Sequence, residues 1–342
     1  MHDSKLKIAV LFGGASEERD VSISSAAQVV KALRGVGHRV VAIDTARGPL
    51  SAEEDARMFA FRVNDSPPQP NVLAQLPSAV FDLLRFRELT DADVVFLALH
   101  GGAGEDGTIQ AMLDMAGLPY TGSGQMGSAI AMNKNVAKRM FSAGGIRTPL
   151  WLMLPCDPDE ITRRIGYPLI VKPNRQGSTV GLSLVHAPEG LEDAVRLARR
   201  FDSQVMVEQF IAGRELTVGV LGMQALSVGE IFVNEDEVFN YRSKYQAGHV
   251  LEQFPASLPA ATLEAAQRIA LRAHALLELD GYSRTDLRLD AQGNLWCLEV
   301  NTLPGMTVTS LLPQSAAASG IEFSQLCEQI CHAGMNRHKV AA

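Results

Sequence analysis

The sequence is short of cysteine and of long apolar stretches, and it has no surplus of positive charge. Each shortage closes off a class of protein. Cys156, Cys297, Cys327 and Cys331 are too few and too scattered for a disulfide framework or a cysteine-rich zinc site, so the reducing cytoplasm is the compartment that fits. Cys327 and Cys331 stand one helical turn apart, a spacing that reads as helix packing. No apolar run reaches the roughly 18 residues of a membrane span. The first apolar stretch runs straight into Gly13-Gly14, which marks a first β-strand and not a signal peptide. Lys plus Arg number 31 against 38 Asp plus Glu, a net charge of −7 that argues against a general nucleic-acid binder. No internal repeat or low-complexity segment stands out. What remains is a globular composition, 46% hydrophobic and 20% charged over 342 residues. At about 100–200 residues per domain, that length predicts two or three domains.

Lys7–Phe12 (KIAVLF) reads as a buried strand, Ser22–Leu33 as an amphipathic helix and Arg39–Asp44 as the next strand. This β-α-β start predicts a parallel sheet. Residues from Arg47 to Asp91 are less regular, and Val94–Leu99 is a further buried strand ending at His100. Sites in open α/β sheets form at the carboxyl ends of strands, where Gly13-Gly14 and His100-Gly101-Gly102 both fall. A helix is predicted from about Ser128 to Gly144. Strands Leu169–Lys172 and Val180–Val185 then bracket a polar Gly-rich loop as a hairpin-like cover. Pro188–Phe201 reads as helix; Val205–Gln209, Leu216–Leu221 and Leu226–Val233 read as strands. Pro259–Leu279 has a helical period.

The segment Ser283–Asn301 (SRTDLRLDAQGNLWCLEVN) reads as two alternating strands around a turn at Ala291–Asn294. An even loop pairs Asp290 with Leu295, and hence Asp286 with Glu299 and Arg284 with Asn301, all on one face. Thr285, Leu287, Leu289, Trp296, Leu298 and Val300 fall on the opposite, buried face. Two carboxylates, an amide oxygen and a guanidinium side by side suit Mg²⁺ bridging phosphates. The alternative is a solvated polar face with an Asp–Arg pair. A change of one residue in the loop would split the carboxylates between faces.

Seven blocks in order resemble the D-alanine–D-alanine ligases, which are ATP-grasp enzymes. They are LFGGASEERDVSISS (Leu11–Ser25), HGGAGEDGTIQAML (His100–Leu113), LPYTGSG (Leu118–Gly124), IVKPNRQGSTVG (Ile170–Gly181), VEQFIAGRELTV (Val207–Val218), GYSRTDLRLD (Gly281–Asp290) and LEVNTLPGMT (Leu298–Thr307). The resemblance covers nearly the whole chain. It implies an α/β ATP-grasp fold with an N-terminal Rossmann-like parallel-sheet domain. The expected division is 1–124 for that domain, 125–209 and 210–335 for the two ATP-grasp subdomains, and 336–342 for a tail. The implied activity is cytoplasmic, ATP-dependent joining of two D-alanines through an acyl phosphate, for peptidoglycan precursors. A ligase using a different second amino or hydroxy acid is the alternative. The resemblance also implies a homodimer and two Mg²⁺ ions, with Mn²⁺ as a substitute.

Residue roles follow from the same resemblance. Glu299 would bridge two metals, with Asp286 and Asn301 on one each. Lys172 and Lys134 would contact ATP phosphates; on its own Lys134 reads as a helix-surface lysine. Backbone N–H groups of Arg175–Gly181 would cradle phosphates. Glu208, Gln209 and Phe210 resemble the hinge that reads adenine through backbone groups, and Glu215 resembles the acid on the ribose hydroxyls. Taken alone, each of these glutamates reads as a strand-edge charge. Glu18 would hold the ammonium of the first D-alanine, although a carboxylate before a helix also complements the helix dipole. His100 matches a histidine near that substrate; alone it reads equally as core packing. Arg284 would stabilise the acyl phosphate and the tetrahedral oxyanion, with Gly305 nearby. Ser310 and Leu311 would grip the second substrate's carboxylate by hydroxyl and backbone N–H. Ser178 and Tyr245 would join Glu18 in closing a lid, and Lys244 would reach the γ-phosphate.

The chain departs from the family pattern at Gln176, where Glu is usual, and at Asn240 and Arg242, which replace two acids in the lid segment. Together these make the closed site more positive. Tyr245 favours D-alanine over D-lactate as second substrate, since lactate-using relatives replace it.

Overall fold

The computed structural model describes residues 5–60, 80–232 and 251–341, with Pro68 and Leu73. Asn240, Arg242, Lys244 and Tyr245 lie outside the described residues. Strands β1 (Lys7–Phe12), β2 (Arg39–Asp44), β3 (Gly48–Pro49) and β4 (Val94–Leu97) form a sheet in the order β3-β2-β1-β4. β1 runs parallel to β2 and to β4, while the short β3 is antiparallel to β2. The helix Arg19–Gly35 covers this sheet with Ile23, Ala26, Val29, Val30 and Leu33, spaced at helical intervals and all buried. It starts before Ser22, the residue at which the apolar period begins, because its first turn is buried by partners and not by hydrophobicity. The Arg19 guanidinium grips both oxygens of Asp44, at 3.1 and 2.5 Å, at the end of β2.

Strands β5 (Trp151–Met153), β6 (Leu169–Pro173), β7 (Ser183–Val185) and β8 (Val205–Gln209) form an antiparallel sheet in the order β5-β8-β6-β7. Strands β9 (Arg214–Leu221), β10 (Gln224–Phe232), β11 (Leu251–Gln253), β12 (Tyr282–Leu289) and β13 (Leu295–Asn301) form another, in the order β11-β10-β9-β12-β13. The helix Ala260–Leu276 packs Ala266, Ala270 and Ala273 against Val218, Val220, Leu287 and Val300 of this sheet. Of the last helices, Leu311–Ala318 packs on β9 and β10, and Phe323–Ala341 returns to the first sheet beside β4 and the helix Arg19–Gly35. Leu312, Ala316, Leu326, Cys327, Ile330 and Cys331 belong to the continuous core that links these two sheets. Cys327 and Cys331 are fully buried free thiols, as packing at one-turn spacing requires. Among the described residues, no helix is long and apolar enough to cross a membrane.

Three expectations need correction. The helix predicted over Ser128–Gly144 is two helices, Gln125–Met132 and Lys134–Ala143. Asn133 breaks it by leaving the helical region (φ −86°, ψ 93°) and capping the second helix through Oδ1, which accepts from Val136 N at 3.2 Å. The strand expected over Val180–Val185 is only Ser183–Val185, because Ser178 and Thr179 take left-handed φ angles of 47° and 58° and wind the preceding loop into turns. The β12–β13 hairpin pairs Arg284 with Asn301 and Asp286 with Glu299 as expected, but beyond Asp286 the register slips to Leu287–Cys297 and Leu289–Leu295. A β-bulge at Leu298 absorbs the extra residue. Trp296 and Leu298 are therefore only half-buried, and Cys297 and Leu295 take the buried face. The cause is the turn. Asp290 accepts from Gln292 N (3.0 Å), Asn294 N (2.8 Å) and Trp296 Nε1 (2.8 Å), which holds Trp296 on the Asp290 side.

Candidate active site

A cleft of about 790 Å³ lies between the two antiparallel sheets. Its floor is set by the β6–β8 register, Ile170 opposite Glu208 and Lys172 opposite Met206, which puts Lys172 and Glu208 on one face. Glu208 is no strand-edge charge. It is buried, with Lys172 Nζ at 2.6 Å from one oxygen and Lys138 Nζ at 2.7 Å from the other. Burial alone would raise its pKa, but the two ammonium groups outweigh burial and hold it below the ordinary value. Lys134 is buried too, not on a helix surface. Its Nζ donates to Gln176 O at 2.6 Å and sits 3.2 Å from Glu299 Oε2. Glu215 pairs with Arg288 at 3.1 Å, and the Arg288 guanidinium lies 5.6 Å from the Phe210 ring centre. Gln209, Phe210 and the bulged Leu298 line the same cleft, so the register slip adds an apolar wall beside Glu299.

A second pocket of about 600 Å³ adjoins it. Glu18 enters from the N-cap position of the helix Arg19–Gly35 without capping it, so helix-dipole complementarity is not expressed as a capping bond. One Glu18 oxygen accepts from the Ser178 hydroxyl, tying the first sheet to the Gly-rich loop. A Cβ on Gly177 would stand 2.7 Å from the other Glu18 oxygen, so any larger residue there would have to displace the carboxylate. His100 is buried, with Nδ1 2.9 Å from Leu303 O and Nε2 2.9 Å from Ser25 Oγ. Burial lowers its pKa to about 4, which keeps the ring neutral. At the other end, Ser310 precedes the helix Leu311–Ala318, and its Oγ is 2.8 Å from Thr307 Oγ1. Gly305, Ser310 and Leu311 line this end, beside Arg284 and Asn301.

The two spaces share their walls. The hairpin gives Asp286 and Glu299 to the cleft and Arg284 and Asn301 to the pocket; the Gly-rich loop gives Gln176 and Thr179 to one and Gly177 and Ser178 to the other. Arg284 crosses the boundary as a bidentate pair with Asp286, Nε–Oδ1 2.9 Å and Nη2–Oδ2 2.7 Å. Asp286 also accepts from Thr217 Oγ1 at 2.8 Å and Asn301 Nδ2 at 3.0 Å. No group of three or more His, Cys, Asp or Glu is gathered as a metal cage among the described residues. Asp286, Glu299 and Asn301 offer two carboxylates and an amide oxygen. That set fits Mg²⁺, which takes one or two carboxylates and leaves the rest of its shell to phosphate and water.

Three residues in or beneath these spaces escaped the sequence reading. Glu105 lines the second pocket and accepts from Gly101 N at 2.6 Å; burial and the neighbouring charge of Glu18 push its pKa up to about 8. Its signal was glycine at 101, 102, 104 and 107, which winds a loop tightly around two acids, Glu105 and Asp106. Lys138 stands one turn after Lys134 on the same helix face, and nothing in that spacing marks either lysine as buried. Glu252 lines the far end of the pocket beside Gln314, and burial raises its pKa. No sequence pattern marks it.

Two antiparallel sheets that grip one ligand, and a parallel-sheet unit that presents another to its edge, are the arrangement of the ATP-grasp ligases. Comparison with known proteins narrows this. Family models described as D-ala D-ala ligase N-terminus and C-terminus match residues 7–123 and 151–332. A D-alanine–D-alanine ligase of Nitratidesulfovibrio vulgaris (strain DP4) is 42% identical over 331 residues, 96% of this chain and 98% of that protein. One from Synechococcus sp. (strain JA-3-3Ab) is 39% identical over 97% of this chain and 94% of that protein. The crystal structure of the Bacillus anthracis D-alanine–D-alanine ligase complexed with ATP superposes with a TM-score of 0.79 at 30% identity, covering 98% of this chain and 100% of that one. The chain belongs to the D-alanine–D-alanine ligase family.

Proposed function

We infer that this protein joins two D-alanines into D-alanyl-D-alanine at the expense of ATP, for peptidoglycan precursor synthesis in the cytoplasm, and that it works as a homodimer. The observation that carries the reading is the shared wall: the hairpin and the Gly-rich loop each face the cleft and the pocket, so a phosphoryl group in one meets a carboxylate in the other.

ATP occupies the cleft, its adenine against Gln209, Phe210 and Leu298 and its ribose toward Glu215. Lys134 and Lys172 draw the phosphates to the junction. Asp286, Glu299 and Asn301 would hold Mg²⁺, which would supply neutralisation of phosphate charge. Glu18, held by Ser178, takes the ammonium of the first D-alanine, while neutral His100 fixes the backbone at Leu303. The first carboxylate attacks the γ-phosphorus, and ADP leaves. Arg284 then faces the acyl phosphate and the oxyanion that forms when the second amine attacks. The amine gives up a proton as phosphate departs. Ser310 and the Leu311 N–H orient the second carboxylate, with Gly305 leaving room beside Ser310. Tyr245 and Lys244 complete the lid that excludes water. The proposed division of the chain is 1–124, 125–209 and 210–335; the tail expected from 336 is instead the end of the helix Phe323–Ala341.

The test is phosphate release from ATP and Mg²⁺ with D-alanine alone, with products identified by mass spectrometry. Dipeptide matching phosphate one for one is expected. Phosphate release only with another amino or hydroxy acid would replace D-alanine as second substrate. No turnover with any acceptor would overturn the reading.

A further inference from the structure

The chemistry above leaves one buried ammonium without a task. Lys138 lies on the helix Lys134–Ala143, its side chain 1% exposed, beneath the cleft and not among the residues that line it. Its Nζ is 2.7 Å from Glu208 Oε2, donates to Thr148 Oγ1 at 2.6 Å, and stands 5.1 Å over the Trp151 ring. Lys172 holds the other Glu208 oxygen at 2.6 Å and does line the cleft. Glu208 therefore carries one cation that a ligand can reach and one that it cannot.

That asymmetry has a consequence for Lys172. A buried carboxylate is costly to leave unpaired. If Lys172 were the sole partner of Glu208, turning it toward a phosphate would strand the carboxylate, and the phosphate would have to outbid that loss. With Lys138 in place, the carboxylate stays paired throughout. Thr148 and the Trp151 ring hold Lys138 where it is, so its own position does not depend on ligand.

We infer that Lys138 is a positioning residue: it keeps Glu208 paired from below, so that Lys172 can leave the carboxylate for the phosphates of the bound nucleotide. The inference rests on the phosphate role proposed for Lys172.

The experiment measures KM for ATP and for D-alanine in Lys138→Met, in Lys172→Met and in the double variant Lys138→Met/Glu208→Gln. Lys138→Met is expected to raise the ATP KM about 10- to 100-fold, the order set by loss of one partner in a buried pair. Its D-alanine KM should stay within about twofold. In the double variant no carboxylate competes for Lys172, and the ATP KM should fall at least about fivefold from that of Lys138→Met. A merely structural lysine would leave the double variant no better than the single one, and that result overturns the inference. So does a wild-type ATP KM in Lys138→Met while Lys172→Met is impaired. If Lys172→Met itself keeps a wild-type ATP KM, the phosphate role of Lys172 falls first. Should Lys138→Met not fold, Glu208→Gln alone is compared with the double variant: with no carboxylate to keep paired, Lys138 has no positioning task and the two ATP KM values should agree within about threefold, so a double variant more than about tenfold worse overturns the inference.

Discussion

The cleft and the pocket that meet at the hairpin differ in how their charges are settled. In the cleft each carboxylate has a cation at hand: Glu208 has Lys138 and Lys172, Glu215 has Arg288, Glu299 has Lys134, and Asp286 has Arg284. Among the described residues the pocket is lined by Glu18, Glu105 and Glu252, and by the Arg284 guanidinium, which is engaged with Asp286. In the first region, ionisation of Glu208 is favoured; in the second, Glu105 keeps its proton to about pH 8 and His100 refuses one down to about pH 4. The difference matches the ligands. A nucleotide brings negative charge and needs cations ready. An amino acid, the ligand proposed for the pocket, brings an ammonium, which an acid-rich wall suits.

The comparison can be broken at its boundary first. Glu299→Gln should lower turnover by at least about a thousandfold in a phosphate-release assay, because Asp286 and Asn301 alone hold metal poorly. Normal turnover would end the metal assignment. Arg284→Met should lower kcat by about 10²–10³ with a smaller change in ATP KM, since it serves the pocket side of the wall. An unchanged kcat would remove Arg284 from the oxyanion. Tyr245→Ala should loosen closure over both regions, so that ATP consumed per dipeptide rises above one; strict coupling would exclude this lid role.

The smallest effects test the pocket's neutrality, through thermal midpoints against pH. Folded Glu105 holds its proton to about 8, whereas the unfolded group releases it near 4.5. Its contribution to stability is full below pH 4.5 and declines as pH rises toward 8. Glu105→Gln should flatten that decline, and an unaltered profile would show the carboxyl already ionised. His100 runs the other way. Its folded pKa of about 4 against 6.5 makes its contribution full above pH 6.5 and lost as pH falls toward 4. His100→Asn should remove that acid loss; an unchanged acid limb would place the proton elsewhere.

Much of this was legible from spacing. Period-two alternation placed Arg284, Asp286, Glu299 and Asn301 together, and the first β-α-β unit announced its parallel sheet. The errors have physical causes. Asp290 collects four donors and shortens its turn by one residue, a local hydrogen-bonding choice that alternation cannot register. Asn133 caps a helix from within an apolar period. Glu208 looked like an edge charge because its partners lie 70 and 36 residues earlier in the chain, at Lys138 and Lys172. Burial of a charge depends on such distant partners, and sequence pattern reports only near ones.

The bulge at Leu298 has one more implication. It places the hairpin's tip and its working end in different reading frames. Residues Ala291, Gln292 and Gly293 at the tip are exposed, and Asp286 and Glu299, the proposed metal holders, lie on the far side of the slip. The tip is in effect a splice point: a reporter loop or affinity tag entering between Asp290 and Asn294 meets a joint that already absorbs an odd residue, before any change of phase can reach Asp286 and Glu299.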